Sequence, residues 1–157
     1  MLLLRALGAF LALPAVVAGV IPACIVAGKA LYPGTLHVAL PALILGSALL
    51  IWCVRDFFAA GGGTLAPWDP PKHLVAVGPY RYVRNPMYLA VLSVVGGWAL
   101  LYRSVALVIY LLVLMVGFHL RVVLHEEPWL RRQFGAEWEN YASRVSRWLP
   151  SRVRKPK

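Results

Sequence analysis

The sequence predicts an all-α integral membrane protein of about four transmembrane helices, the last two a helical hairpin, followed by cytoplasmic C-terminal helices. Three observations lead there. Of 157 residues 61% are hydrophobic and the mean hydropathy is +0.71, well above the roughly 45–50% apolar content of soluble chains. The apolar residues gather into four runs with polar residues between them. The basic residues, finally, fall almost entirely on one side of those runs.

The first run, residues 6–28, is long enough at ~1.5 Å per residue to cross a ~30 Å hydrocarbon core. Arg5 before it resembles the start of a signal peptide, but the run is longer than such cores and Pro22 sits badly in a cleavage box, so retention is expected. Pro14 and Pro22 are expected to kink the helix, which neighbouring helices can accommodate. Lys29 to Gly34 reads as a turn, and residues 36–54 as a second span ended by Arg55-Asp56. Residues 59–86 then form a long polar loop whose G-G-G-T-L-A-P-W-D-P-P-K stretch excludes regular helix. A loop of that length points to function. Residues 87–101 and 105–120 form the hairpin, broken at Tyr102-Arg103-Ser104, and 121–157 the C-terminal region of a single membrane domain. The first hairpin helix is short for a full crossing. In the tail, Trp138, Tyr141, Val145 and Trp148 recur at helical spacing, as an amphipathic helix at the headgroup level or on the bundle would require.

With the amino terminus inside, Lys29 and Arg103 are the only two of the 16 Lys and Arg residues on the outer side. This positive-inside bias places the 59–86 loop and the tail on the cytoplasmic face. The formal charge of +10 therefore concerns topology and anionic membrane lipid, and no nucleic acid partner is expected. Cys24 and Cys53 belong to antiparallel spans near opposite faces, too far apart for a disulfide. No metal site is indicated, and no G-x-G-x-x-G opens a soluble cofactor domain. His37 and His119, alone within spans, read as interhelical hydrogen bonders.

Two polar segments can hold chemistry. In G-P-Y-R-Y-V-R-N-P-M-Y, Gly78 to Tyr88, the prolines stiffen a knot of three tyrosines beside two arginines. Rigid tyrosines near arginine suit a ligand with a flat ring and an anionic group, and also suit a membrane interface. Trp68, Trp129, Trp138 and Trp148 read as interfacial belt residues. Glu126-Glu127 are two of only six acidic residues and directly follow a span, where carboxylates are costly unless paired or used. Adjacent helical residues point ~100° apart, so one of the two is expected to face a pocket. The bland role is a helix-surface pair, for which Glu127 and Arg131 have the favourable i,i+4 order.

Two motifs, K-H-L-V-A-V-G-P-Y-R-Y-V-R-N-P-M-Y from Lys72 and E-E-P-W-L-R-R-Q-F-G-A-E-W-E-N-Y-A-S-R-V from Glu126, resemble those of the isoprenylcysteine carboxyl methyltransferase and phospholipid methyltransferase superfamily of integral-membrane enzymes. The first resembles the family's Arg-His-Pro-x-Tyr loop and the second its Glu-Glu, Phe-Gly, Tyr pattern. Asn85 stands where many members have histidine, Ala90 where glycine often follows, and Ser146 where proline is common.

The resemblance implies S-adenosylmethionine as methyl donor. It implies a cofactor pocket of Lys72, His73, Leu74, Val75, Tyr80, Asn85, Pro86, Met87, Tyr88 and Glu126, with Arg121 orienting the acceptor and Glu127 as a further catalytic candidate. It also implies a lipophilic or lipidated acceptor entering between spans, and a bacterial inner-membrane location with both termini cytoplasmic. A carboxylate acceptor needs only an arginine to aim it. An amine, as in a phospholipid headgroup, needs a base, for which Glu127 or His125 are the candidates. The ready arginines and the lack of a clear base tilt toward a carboxylate or another already ionised nucleophile such as a thiolate. A membrane reductase, which would need a nicotinamide cofactor, and a lipid-binding membrane module without catalysis are the competing classes.

Overall fold

The computed structural model describes residues 11–62 and 71–150. The start of the first expected span, the loop around Trp68 and residues 151–157 lie outside the described residues. Within these the chain is helical, with no strand; an isolated parallel bridge joins Val83 to Ser146. Helix α1 is wound as a π-helix over Leu11–Val20 and as an α-helix over Ile21–Ile25. Helices α2 (Leu36–Gly61), α3 (Pro86–Tyr102) and α4 (Val105–Arg121) follow. A π-wound turn over Val122–Glu126 carries α4 into α5 (Glu127–Phe134), and α6 spans Ala136–Arg144.

Two helices, Pro33–Gly61 and Val105–Phe134, are long and apolar enough to cross a membrane, while α1 and α3 are apolar but shorter. Only 22% and 11% of the most apolar stretches of the long pair are buried. A soluble core helix would hide that surface; here Ile44, Leu45 and Ile51 on α2 and Ile109, Val113 and Val116 on α4 all face outward. Such exposed apolar surface is that of a membrane protein, and α2 and α4 carry most of it. Helix α3 is the inner one: Ala90, Val91, Val94, Val95 and Ala99 are buried, with Val17 and Ala18 of α1 and Leu43 and Leu50 of α2 against that core.

Small residues set the closeness of α2 and α3. A Cβ on Gly97 would lie 2.7 Å from Leu43 Cγ and 3.1 Å from the Leu43 backbone nitrogen, and one on Gly46 would lie 2.9 Å from Val94 Cγ2. Ser93 Oγ adds a hydrogen bond to the Ala42 carbonyl at 3.0 Å. Such seams are the usual means of packing helices where water does not drive them together. At one end of the bundle Thr35 Oγ1 donates to the Leu100 carbonyl at 2.6 Å, Lys29 Nζ lies 3.4 Å from Ser104 Oγ, and the Arg103 guanidinium covers the Tyr32 ring at 4.6 Å. The two basic residues expected on the outer side thus sit together. Both long polar segments meet at the other end.

Helix α2 does not stop at Arg55-Asp56. It continues to Gly61 and ends on left-handed Gly62, φ 63°. Charges oblige a helix to leave lipid, not to unwind, and the extra turns reach the polar loop: Lys72 and His73 both donate their amide N–H to the Gly61 carbonyl, at 2.8 and 3.2 Å. The tail departs from expectation in the opposite sense. Helix α6 ends at Arg144 and Val145 is extended, so Trp148 leaves the stripe that Trp138, Tyr141 and Val145 share.

The seam makes a direct prediction. Gly97→Val should lower stability by roughly 2 kcal/mol through overpacking, several degrees of melting temperature in detergent. Gly117→Val, where an added Cβ meets nothing within 4 Å, should stay within about 0.5 kcal/mol. Equal melting temperatures for the two variants would refute the close α2–α3 contact.

Candidate active site

A cavity of about 360 Å³ occupies the polar end of the bundle. Pro14, Val17, Val91 and Phe118 line it from the apolar helices, and Arg84, Arg121, Glu126 and Glu127 from the polar segments. Its walls therefore pass from hydrocarbon to charge within one space.

The knot is pinned before it contributes. Gly78 has φ 52°, and a Cβ there would lie 1.9 Å from Asp56 Oδ2, so only glycine lets the turn sit on the end of α2. Asp56, which does not end the helix, is thus what the loop folds against. A 3₁₀ turn over Gly78–Arg81 then buries Tyr80, whose carbonyl accepts from Tyr141 Oη at 2.7 Å. Asn85 precedes α3, and Pro86 occupies its first turn, where a missing N–H costs nothing. Tyr88, one turn into α3, packs its ring against Phe118 of α4 at 4.4 Å.

The π turn explains the two glutamates. Its i→i+5 bonding widens the turn beyond the 3.6 residues of an α-helix, which brings Arg121 and Glu126 closer to one face, and Arg121 Nε donates to Glu126 Oε1 at 2.8 Å. Tyr88 Oη donates to the same oxygen. Contrary to the one-faces-in expectation for an α-helix, both Glu126 and Glu127 line the cavity.

Glu127 does not pair with Arg131, which instead bridges to Glu139 at 2.8 Å. Arg147 grips Glu127 with two bonds, Nε to Oε1 at 2.7 Å and Nη2 to Oε2 at 2.6 Å, and Arg84 Nη1 donates to Oε1 at 2.9 Å. Burial by itself would raise the Glu127 carboxyl, but the Arg147 hydrogen bonds and the two guanidinium charges outweigh it and hold the group below its ordinary 4.5. The chain after α6 is strapped down around this pair. Arg84 N–H donates to the Ser146 carbonyl at 2.9 Å, Asn85 Nδ2 to the Arg147 carbonyl at 3.2 Å, and Trp148 Nε1 to His119 Nδ1 at 3.2 Å.

The residues expected at the site are brought together unevenly. His73, Leu74, Val75, Tyr80, Asn85, Met87, Tyr88, Arg121, Glu126 and Glu127 all line the cavity. Lys72 is exposed and Pro86 lies buried, and neither is among the lining residues. His125 is exposed and also away from it. Three tryptophans depart from the belt assignment, and Trp68 lies outside the described residues. Trp138 is 3% exposed beneath the Arg84 guanidinium, Trp129 lines the cavity, and Trp148 packs beside Tyr88 at 6.4 Å. Arg84, Trp138 and Tyr141 were missed as wall residues, although all three lie within the two motifs.

This is a helical membrane protein with a cavity at the polar end of its apolar helices, walled by two polar segments distant in sequence. A family model described as phospholipid methyltransferase matches residues 34–137, and the chain belongs to that family. Two curated rice proteins, one from Oryza sativa subsp. indica and one from subsp. japonica, are each 38% identical to it over 84 residues. Both are described as a probable protein-S-isoprenylcysteine O-methyltransferase, and the match covers 53% of this chain and 44% of each relative. The chain thus spans less than half the length of the curated relatives it matches. No solved structure matches it.

Glu127→Gln should release the strap. Losing charge-assisted bonds at a largely buried site costs roughly 2 kcal/mol, and tryptic cleavage after Arg144 and Arg147 should quicken at pH 7. Because the folded carboxyl titrates below its unfolded value, its contribution is complete above about pH 4.5 and lost as pH falls through the lower folded value. The difference between wild type and variant should therefore close on acidification. A variant as protease-resistant as wild type at pH 7 would show that Glu127 does not hold the strap.

Proposed function

We propose that the protein transfers a methyl group from S-adenosylmethionine to a lipophilic acceptor at the cytoplasmic membrane face, and that the acceptor atom belongs to a carboxylate, as in a prenylcysteine. The observation that carries this is the cavity itself: both motif segments line one space that grades from Val17, Val91 and Phe118 to Glu126, Arg121 and Tyr88. The positive-inside bias of the basic residues supports the cytoplasmic assignment.

The donor set fits the cofactor. Glu126 offers a carboxylate to an ammonium or hydroxyls, and His73, Leu74, Val75, Tyr80, Asn85, Met87 and Tyr88 offer a mixed aromatic and aliphatic wall to a flat base. When bound, S-adenosylmethionine supplies an electrophilic methyl group on a sulfonium. The protein's own work is then to align and to exclude water. Tyr88 and Arg121 fix the Glu126 carboxylate from two sides. The Arg121 side chain remains 54% exposed, so it can also meet an incoming anionic acceptor at the mouth. The apolar wall admits the acceptor from lipid while its polar head enters the charged end.

Glu127 is reassigned in this reading. A carboxylate held by two guanidiniums and titrating below its ordinary range is a poor base at neutral pH, and its role is to position the strap. His125 does not line the cavity. An already ionised acceptor therefore suits the site better than an amine. The family's description keeps a phospholipid amine as the second reading.

Calorimetry on detergent-solubilised protein should show S-adenosylhomocysteine binding, weakened at least about tenfold by Glu126→Ala or Tyr88→Ala. Binding of NADPH in its place would point to a reductase and sink the methyltransferase reading. Membranes incubated with methyl-labelled donor should yield base-labile ester; alkali-stable N-methyl lipid would select the amine acceptor.

A further inference from the structure

Trp148 stands beside the site without entering it. It does not line the cavity, yet its ring packs at 6.4 Å against that of Tyr88, which Phe118 of α4 meets at 4.4 Å. Its indole Nε1 donates to His119 Nδ1 at 3.2 Å, and those two rings lie 6.2 Å apart. An indole N–H can only donate, so the bond requires that Nδ1 carry no proton. Phe118 and His119 are consecutive. Helix α4 thus holds the Tyr88 ring twice, directly through Phe118 and at second hand through Trp148 of the tail.

What the ring carries gives this contact its weight. Tyr88 Oη donates to the Glu126 oxygen that also accepts from Arg121 Nε. The Arg121 side chain is 54% exposed, so a Glu126 released by Tyr88 would be left with a guanidinium on the open side. A hydroxyl at the far end of a ring leaves hydrogen-bond reach with a small tilt of that ring. Two aromatic neighbours within packing range remove that freedom.

We propose that Trp148 is a positioning residue: latched to His119, it sets the Tyr88 ring so that the hydroxyl holds Glu126 in place for the methyl donor. The role of Glu126 in this rests on the methyl-transfer reading; the setting of Tyr88 does not. Trp148 touches neither donor nor acceptor, and its whole effect passes through the Tyr88 hydroxyl.

Nitration by tetranitromethane, followed tyrosine by tyrosine by mass spectrometry, tests the ring without any ligand. In wild type Tyr88 should react more slowly than the exposed Tyr82. Trp148→Ala should speed Tyr88 several-fold while the buried Tyr80 stays slow. His119→Ala should do the same, and His119→Asn, whose Oδ1 can accept the indole N–H, should restore the slow rate. If Tyr80 becomes reactive in Trp148→Ala, Trp148→Phe, which keeps a ring and loses only the bond, takes its place. Calorimetry with S-adenosylhomocysteine supplies the second measurement. Trp148→Ala should weaken binding about fivefold where Tyr88 is intact and change it by no more than about twofold in Tyr88→Phe, which has no hydroxyl to position. Equal weakening in both backgrounds would mark Trp148 as merely structural and overturn the proposal, as would a Tyr88 nitration rate that no variant changes. If wild type binds no S-adenosylhomocysteine, the methyl-transfer reading falls, and the nitration rates alone decide whether Trp148 sets Tyr88.

Discussion

One carboxylate organises the polar end of this molecule. Glu127 accepts from Arg84 in the loop and from Arg147 in the tail, and itself begins α5. Three chain segments far apart in sequence therefore meet at one side chain that is 17% exposed. Removing the carboxylate would leave the Arg84 and Arg147 charges uncompensated, and that penalty exceeds what the cluster contributes when intact. The same arrangement fixes Asn85 and Ser146 through backbone contacts, and with them the start of α3, where Tyr88 stands.

The wide turn between α4 and α5 is the second element of this design. An uninterrupted α-helix would send Arg121 and Glu126 to different faces. The π winding over Val122–Glu126 stacks them and leaves Glu127 free to face the strap. Neighbouring acids consequently take separate duties. Glu126 is shared with Tyr88 and Arg121 in the cavity, while Glu127 is committed to structure. Irregular backbone of this kind is frequent where helices form functional sites.

Much of this is legible in the sequence, because the signals are local or additive. The four apolar runs follow from hydropathy, and the meeting of the knot with Glu126-Glu127 follows from counting Lys and Arg on either side of them. Ten of the proposed site residues line the cavity for that reason. What is not legible depends on tertiary placement. Arg55-Asp56 looks like the end of a span, yet Asp56 serves as the seat of the Gly78 turn. The i,i+4 spacing of Glu127 and Arg131 is favourable in isolation, but two arginines brought from the loop and tail make closer, more buried partners. Nothing local announces that Trp148 leaves its stripe; its indole is drawn away by His119 on α4.

The small-residue seam between α2 and α3 has a mechanical consequence for the cavity. With Leu43 against Gly97 and Val94 against Gly46, those two helices behave as a single stiff post. On the opposite flank α1 is π-wound around Pro14, and its Val17 carbonyl accepts from Tyr110 Oη of α4 at 3.0 Å. Beside that bond α1 packs Val17 and Ala18 on the α3 core, and Val26, just after its end, lies against Ala99 and Leu107. The post therefore carries the start of α3, where Tyr88 stands, at a set distance from α2, against which the Gly78 turn sits.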